Sequence, residues 1–260
     1  MQQNNNLYFS YRDISLYCID CLDFDLPDGT IDFVLTSPPY NVGIDYGVIS
    51  DNLSSDEYLD FSARWLSKCF SWVKSDGRLA MVIPMSVNLN SKAYPTFVNL
   101  VEIAKKVGWK FYTVIVWHKK RDFKTAWGSW LSASAPYLIP PVEVIPVFYK
   151  DSFKKTSGSG ISDIKKDEFL KWHYALWEIN GENRASIKHP APFPKEIPYR
   201  CIKFFTFLGD TILDPFAGSG TTLIVLQLLK RKSIGLEINK DYCELAKNRI
   251  LAEVDSLEFV

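Results

Sequence analysis

The sequence has no apolar run approaching the ~20 residues needed to cross a membrane. Its first residues, Met1 to Tyr8, carry neither a basic region nor an apolar core. Neither a membrane span nor a secretory leader is expected, and the chain reads as a soluble cytoplasmic protein. Net charge is missing too: 30 Lys and Arg balance 30 Asp and Glu. Any polyanionic partner must then be held by a local patch, not by the whole surface. Cysteines are few, odd in number and scattered, five in all. That excludes an ordinary disulfide framework and suits reduced thiols. Cys18-x-x-Cys21 has metal-like spacing, but no second pair exists, so the two read as small buried hydrophobes. His118, His173 and His189 have no acid or cysteine at ligand spacing, and no metal is expected.

What is present is a large apolar fraction, 47%, cut into alternating strand-like and helix-like pieces. Ile14 to Ile19 and Ile31 to Leu35 read as strands. Ser55 to Val73 reads as a helix, because Leu59, Phe61, Trp65, Leu66, Cys69, Phe70 and Val73 recur near the 3.6 period and Ser55 suits an N-cap. Leu79 to Ile83 reads as a strand after the turn Ser75-Asp76-Gly77. Tyr94 to Val107 reads as a helix stopped by Gly108, and Phe111 to Trp117 as a strand. Beyond these come a helix at Pro198 to Phe207, a strand at Thr211 to Leu213 and a helix at Thr221 to Lys230. A strand at Ser233 to Leu236 and a helix at Asp241 to Glu253 end the chain. Such alternation predicts an α/β fold with an open, mostly parallel sheet covered on both faces. From Lys119 to about Arg184 the alternation stops. Prolines, serines and aromatics crowd that stretch, and Ser157-Gly158-Ser159-Gly160 reads as a flexible tip.

Two short stretches carry chemistry. In Thr211-Ile-Leu-Asp-Pro-Phe-Ala-Gly-Ser-Gly-Thr-Thr222 a strand ends in an acid, a two-glycine loop follows, and a helix starts at once. Glycines let backbone approach a ligand closely, and the helix start offers free N–H groups. No Gly-Lys-Ser/Thr is present, so this is not a P-loop. Asp214 would repel a phosphate and suits a cation or a hydroxyl. About 20 residues on, a second strand ends in Glu237, where a carboxylate suits ribose hydroxyls. S-adenosylmethionine, ribose-bearing and positively charged, fits; an ordinary nucleotide-binding βαβ unit is the alternative. In Thr36-Ser-Pro-Pro-Tyr40 a strand leaves the sheet through two residues that cannot donate hydrogen bonds and have fixed φ. The result is a rigid exit with acceptor carbonyls, a serine hydroxyl and an aromatic face. It suits an exocyclic amino group whose ring stacks on Tyr40 and whose lone pair is turned toward a methyl donor.

Together the two stretches resemble amino-group DNA methyltransferases of the beta group, in which Pro-Pro-Tyr precedes the cofactor loop. The resemblance spans nearly the whole chain. Thr36 to Tyr40 matches the catalytic motif, and Asp214 to Thr221 the cofactor loop. Lys188-His-Pro-Ala-Pro-Phe-Pro194 matches a segment that closes the cofactor pocket. Tyr17-Cys-Ile-Asp20 matches a contact to the cofactor adenine, and Val116-Trp-His-Lys119 an aromatic-plus-lysine strand end near the target base. It implies a Rossmann-like S-adenosylmethionine-dependent methyltransferase fold in permuted order, with a small irregular target-recognition insertion. Residues 1–118 would form the catalytic half, 119–185 the target-recognition region and 186–260 the cofactor half. Ser37, Pro38, Pro39 and Tyr40 would be catalytic. Asp20, Thr36, Asp214, Pro215, Phe216, Gly218, Ser219, Gly220, Thr221, Glu237 and His189 would hold the cofactor.

In this family Thr-Ser-Pro-Pro-Tyr mostly accompanies cytosine N4 and Asp-Pro-Pro-Tyr adenine N6. Ser37 therefore favours cytosine, with adenine as the alternative. The base must be flipped from duplex DNA to reach the pocket, with Tyr40 as its stacking face. Trp117 is either a second stacking face or core. Between residues 119 and 166 stand nine Lys and Arg against four acids, a footprint for phosphates. Lys119, Lys120, Arg121 and Lys124 are the candidates nearest the site, and Lys150, Lys154, Lys155, Lys165 and Lys166 follow. The partner set implied is double-stranded DNA, with room for a homodimer and a cognate restriction endonuclease in a prokaryotic cell. Two other readings are a glutamine-modifying protein methyltransferase and a silent nucleic-acid-binding module. The first is disfavoured by motif order and by Ser37, the second by the intact motifs.

Overall fold

The computed structural model describes residues 6–43, 52–89, 92–120, 129, 131–136, 138, 140–182 and 193–255. One ten-stranded sheet organises them. In chain order its strands are β1 (Leu7–Tyr11), β2 (Ile14–Cys18), β3 (Ile31–Thr36), β4 (Val73–Met81) and β5 (Ile83–Pro84). After a separate hairpin of β6 (Val87–Leu89) and β7 (Lys92–Tyr94) come β8 (Lys110–His118), β9 (Val142–Tyr149), β10 (Leu176–Glu178), β11 (Thr211–Asp214) and β12 (Lys232–Glu237). Across the sheet the order is β1-β2-β12-β11-β3-β4-β9-β8-β10, with β5 also on β9. Strands β2, β12, β11, β3 and β4 are mutually parallel. Strand β9 runs against both of its neighbours, β4 and β8. Among the described residues no helix is long and apolar enough to cross a membrane.

Every residue of β3 is buried, as a strand covered on both faces requires. Its side chains alternate between two cores. Val34, with Leu79 and Met81, packs under α1 (Ser55–Trp72) and α2 (Thr96–Val107), where Trp65, Leu66 and Leu100 complete the layer. Phe33 and Leu35, with Ala80 and Val82, face α4 (Glu196–Phe205) and α5 (Thr221–Leu228). A third cluster seats α6 (Lys240–Asp255) through Cys243, Ala246 and Ile250 against Ile14 and Leu16. Cys21, Cys69, Cys201 and Cys243 are buried and all five cysteines are free.

Local differences from the sequence reading have identifiable causes. Helix α1 is capped by Ser54, not Ser55, because Ser54 and Glu57 form a reciprocal capping box. Helix α2 starts after Pro95, since Tyr94 belongs to the hairpin. Ser75-Asp76-Gly77 is a bulge inside β4, between the residues that pair with Ile31 and Phe33. The irregular stretch contains a central strand, β9, masked by Pro146. Pairing on the β4 side breaks between Val147, opposite Ala80, and Val144, opposite Ile83, which accommodates a residue without N–H. Helix α3 (Lys166–Trp172) and β10 follow it.

Ser157 to Gly160 is not a flexible tip. Hydrogen bonds anchor it: Asp76 accepts from the Ser157 N–H at 2.6 Å and its hydroxyl at 2.7 Å, and Ser159 donates to the Leu208 carbonyl at 2.8 Å. A Cβ on Gly158 would stand 2.5 Å from Asp210 Oδ1. Lys155 is likewise buried, its Nζ 2.7 Å from Asp32 Oδ1 and 3.4 Å from Asp210. Asp32 also accepts from Lys74 and from the Thr211 N–H. Burial alone would raise the Asp32 carboxyl, but these bonds outweigh it and hold it below the usual range. At the opposite end of the same strand pair, Thr36 Oγ1 donates to Asp214 Oδ1 at 2.7 Å. Polar clamps thus close both ends of the β3–β11 seam. Burial pushes the Asp214 carboxyl up to about 6, against the opposing effect of the Thr36 bond.

Two outcomes follow from the clamps. Lys155→Met leaves Asp32 and Asp210 buried with less compensation, and should cost about 3–5 kcal/mol in urea unfolding; a loss under ~1 kcal/mol would show the cluster to be relaxed by water. The raised carboxyl of Asp214 contributes stability that is present below the unfolded value, near pH 4, and lost as pH rises through about 6, a change of about 3 kcal/mol. Asp214→Asn cannot ionise. Its stability should therefore gain on the parent between pH ~4 and ~8, and parallel stability–pH curves would contradict this origin.

Candidate active site

The chain turns from β3 to one side of the sheet and from β11 to the other, so the carboxyl ends of these adjacent strands flank a crevice. A cavity of about 230 Å³ opens there. Its walls come from the ends of β2, β3, β11 and β12, and from Phe61 of α1.

The β11–α5 loop forms one wall. Pro215, Phe216, Gly218, Ser219 and Thr221 line the cavity. Gly220 caps α5 at φ 77, and a Cβ there would lie 2.9 Å from the Ala246 methyl. Conformation and space both demand glycine. Phe216 is held edge-on by Trp65, ring centres 5.4 Å apart. Glu237, at the end of β12, accepts from the Gly218 N–H at 2.8 Å and the Asn239 N–H at 2.8 Å. A carboxylate offers about four acceptor positions, so the group keeps capacity for a ligand. Burial raises the Glu237 carboxyl. Asp20, after β2, also lines the cavity and accepts from the Leu22 N–H.

Three of the expected cofactor residues stand behind the wall. Thr36 is fully buried, and its hydroxyl goes to Asp214. Asp214 is buried too, and accepts from the Phe216 N–H at 3.2 Å. Gly220 supports the turn. These residues shape the loop and do not form its surface. His189 lies outside the described residues.

Ser37, Pro38, Pro39 and Tyr40 form the facing wall. Ser37 Oγ, Tyr40 Oη and the Val82 carbonyl make a triangle with sides of 2.8, 3.2 and 3.1 Å. Whichever way the two hydroxyl protons are shared, Ser37 Oγ retains acceptor capacity. The Pro39 carbonyl accepts from Tyr58 of α1 at 2.9 Å. Among the described residues the Pro38 carbonyl receives no hydrogen bond. The exit is therefore rigid, as expected, but one of its two proline carbonyls is already engaged. Asn41, in the left-handed region at φ 56, fixes the next turn by exchanging two hydrogen bonds with the Leu53 backbone.

The residues expected to meet DNA are placed less uniformly. Trp117 is a core residue: 2% exposed, it packs with Trp172 and Trp177 and donates to the Ile179 carbonyl at 2.8 Å. It could not stack on an incoming base without leaving that core. Lys119 pairs with Glu143 beneath the Trp117 ring, and Lys120 with Glu178 at 3.1 Å. Both follow β8, on the same edge of the sheet as the cavity. Arg121 and Lys124 lie outside the described residues. Lys150 and Lys155 follow β9 and sit at the opposite edge, bonded to Val73 and Asp32. They are remote from the cavity because β9 is antiparallel.

Several site residues escaped the sequence reading. Phe61 was legible only as a core position of α1. Phe193, from the Lys188–Pro194 segment that the resemblance set at the cofactor pocket, lines the cavity, and so does Tyr242, from a helix with no motif signal of its own. Tyr58 acts through its bond to the Pro39 carbonyl, and Val82 through a carbonyl that Ser37 and Tyr40 share, partners distant along the chain.

The comparisons with known proteins agree with this geometry. Residues 31–248 match the N6/N4 DNA methylase family. The chain is 46% identical over 175 residues to the Type II methyltransferase M.MjaVI of Methanocaldococcus jannaschii, covering 67% of this chain and 89% of that protein. It is 29% identical to M.HpaI of Haemophilus parainfluenzae, over 91% of this chain and 73% of that one. Among solved structures, a DNA modification methylase of Thermus thermophilus, TTHA0409, complexed with S-adenosyl-L-methionine, is 26% identical with a TM-score of 0.73. It covers 92% of this chain and 95% of its own. The cytosine-N4-specific PvuII DNA methyltransferase, 21% identical with a TM-score of 0.74 over 96% of both chains, shares the fold. This chain belongs to the N6/N4 DNA methylase family.

Proposed function

We propose that the protein is a DNA methyltransferase that uses S-adenosylmethionine to methylate the exocyclic N4 amino group of cytosine, flipped out of a short duplex sequence. One observation carries the choice of ligand. Among the described residues the cavity wall holds two acids, Asp20 and Glu237, and no Lys or Arg. A phosphate would be repelled; a ribose-bearing cation is attracted. Gly218, which lines the cavity without a side chain, lets a ligand lie close to the loop backbone.

When bound, S-adenosylmethionine supplies an electrophilic methyl group on a sulfonium. The protein supplies position and acceptors. Glu237 is placed for ribose hydroxyls and Asp20 for the adenine edge. The Pro38 carbonyl and Ser37 Oγ accept the two amino protons, which favours a pyramidal nitrogen with its lone pair free. Tyr40, its hydroxyl tied to Ser37 and Val82, presents its ring as a stacking face. None of this requires a strong base. Cytosine is favoured by the serine of Thr36-Ser-Pro-Pro-Tyr40, and adenine N6 is the alternative acceptor. Phosphate contacts are assigned to the segment after β8, including Lys119, Lys120, Arg121 and Lys124. The Type II names of the relatives suit a restriction–modification setting with a cognate endonuclease.

Nucleosides from DNA treated with the protein and labelled S-adenosylmethionine, resolved by mass spectrometry, should contain N4-methylcytosine. N6-methyladenine in its place would overturn the base assignment and leave the family intact. Ser37→Ala should reduce turnover by about 10²-fold and leave cofactor affinity within about twofold. Equal losses in both would place Ser37 in cofactor binding instead.

A further inference from the structure

We infer that Arg249, one residue beyond the end of the family match, is a positioning residue that holds the cofactor loop in its binding shape. Its Nη1 lies 2.7 Å from the Ser219 carbonyl, 2.9 Å from Ser219 Oγ and 3.1 Å from Thr221 Oγ1. It thus grips the residues on both sides of Gly220. Ser219 and Thr221 line the cavity and Arg249 does not, so its effect on a ligand passes through them.

Two physical features single this arginine out. A cation beside the first turn of α5 is opposed by the helix dipole, so the position is not one a solvated arginine would choose. Among the described residues no backbone N–H reaches the Ser219 carbonyl, so the guanidinium satisfies an otherwise orphaned acceptor. Gly220 gives the loop the left-handed turn it needs, but glycine also permits many other conformations. A loop pivoting on glycine needs an external tether. Arg249, 13% exposed and anchored on the packed helix α6, provides one.

The tether continues. Arg249 Nη2 is 3.3 Å from Glu253 Oε1, and Glu253 Oε2 pairs with Lys195. Lys195 precedes α4, two residues after Phe193, which lines the cavity. The chain Ser219–Arg249–Glu253–Lys195 therefore joins two walls of the cleft. Loss of the tether lets the free loop wander, and binding must then reorder it. Affinity falls, while the geometry of the bound complex is restored at saturation.

Calorimetric titration with S-adenosylmethionine, set beside turnover at saturating cofactor, tests this independently of which base is methylated. Arg249→Ala should weaken binding about ten- to hundredfold, the range for losing charged hydrogen bonds, with a much smaller fall in turnover. Arg249→Lys should recover part of the affinity, because an ammonium reaches the carbonyl but cannot fork. Glu253→Gln should weaken binding by about two- to fivefold. Should the alanine variant fail to fold, the lysine and glutamine variants decide the matter on the same criterion. Parental affinity in the folded variants, or affinity and turnover falling together in step with melting temperature, would overturn the assignment.

Discussion

The β3–β11 seam is the constraint on which the rest of the structure depends. These strands come from opposite ends of the chain, yet on the proposed mechanism each delivers one reactant. Strand β3 ends in Ser37 to Tyr40, proposed to hold the acceptor, and β11 in the loop proposed to hold the donor. Methyl transfer between two bound molecules is sensitive to displacements of an ångström, so the register of this seam sets the chemistry. Phe33 stands opposite Ile212 and Val34 opposite Leu213. Beyond that short ladder, Thr36–Asp214 closes the active end, and Asp32, through the Thr211 N–H and Lys155, closes the other. Side chains thus hold what two paired residues could not hold alone.

The charge distribution follows from the same arrangement. The acids near the active end are buried, and burial raises Asp214 and Glu237. Among the described residues each is held by hydrogen bonds to hydroxyl or backbone N–H groups and by no cation. Their negative charge is therefore not cancelled before a ligand arrives. At the far end Asp32 and Asp210 meet Lys155 and Lys74, and charge is spent internally on stability. A chain with no net charge in its sequence accordingly presents, among the described residues, an acidic cleft whose wall holds no Lys or Arg, with Lys119 and Lys120 on the same edge of the sheet. Such separation suits a cationic cofactor beside a polyanionic substrate.

Features encoded within a few residues were legible in the sequence. The alternation of strands and helices, the rigid exit at Ser37 to Tyr40 and the two-glycine loop at Gly218 and Gly220 all depend on local backbone chemistry. What was illegible depends on distant partners. Thr36 looked like a ligand contact until its bond to Asp214, 178 residues away, put it behind the wall. Trp117 could be surface or core until Trp172 and Trp177 settled around it. Gly158 looked flexible because nothing nearby in sequence shows that Asp210 presses against it. Pro146 concealed β9, since a proline argues against a central strand unless the pairing beside it is interrupted.

That antiparallel strand changes how the irregular stretch is understood. A chain leaving β8 at the active edge and entering β9 must begin β9 at that same edge, and must finish it at the other. Lys119 and Lys120 are therefore delivered at the cavity end of the sheet, and Lys150 and Lys155 at the other end. The lysines that appeared as one basic segment belong to two surfaces with different work. Lys155, after β9, pairs with buried acids and holds the seam, and Lys150 bonds to the Val73 carbonyl. On the proposed reading, the phosphate contacts then fall to the residues after β8 and not to the whole basic stretch. The reversal of β9 decides the division, because β9 carries the chain back across the sheet without a helix.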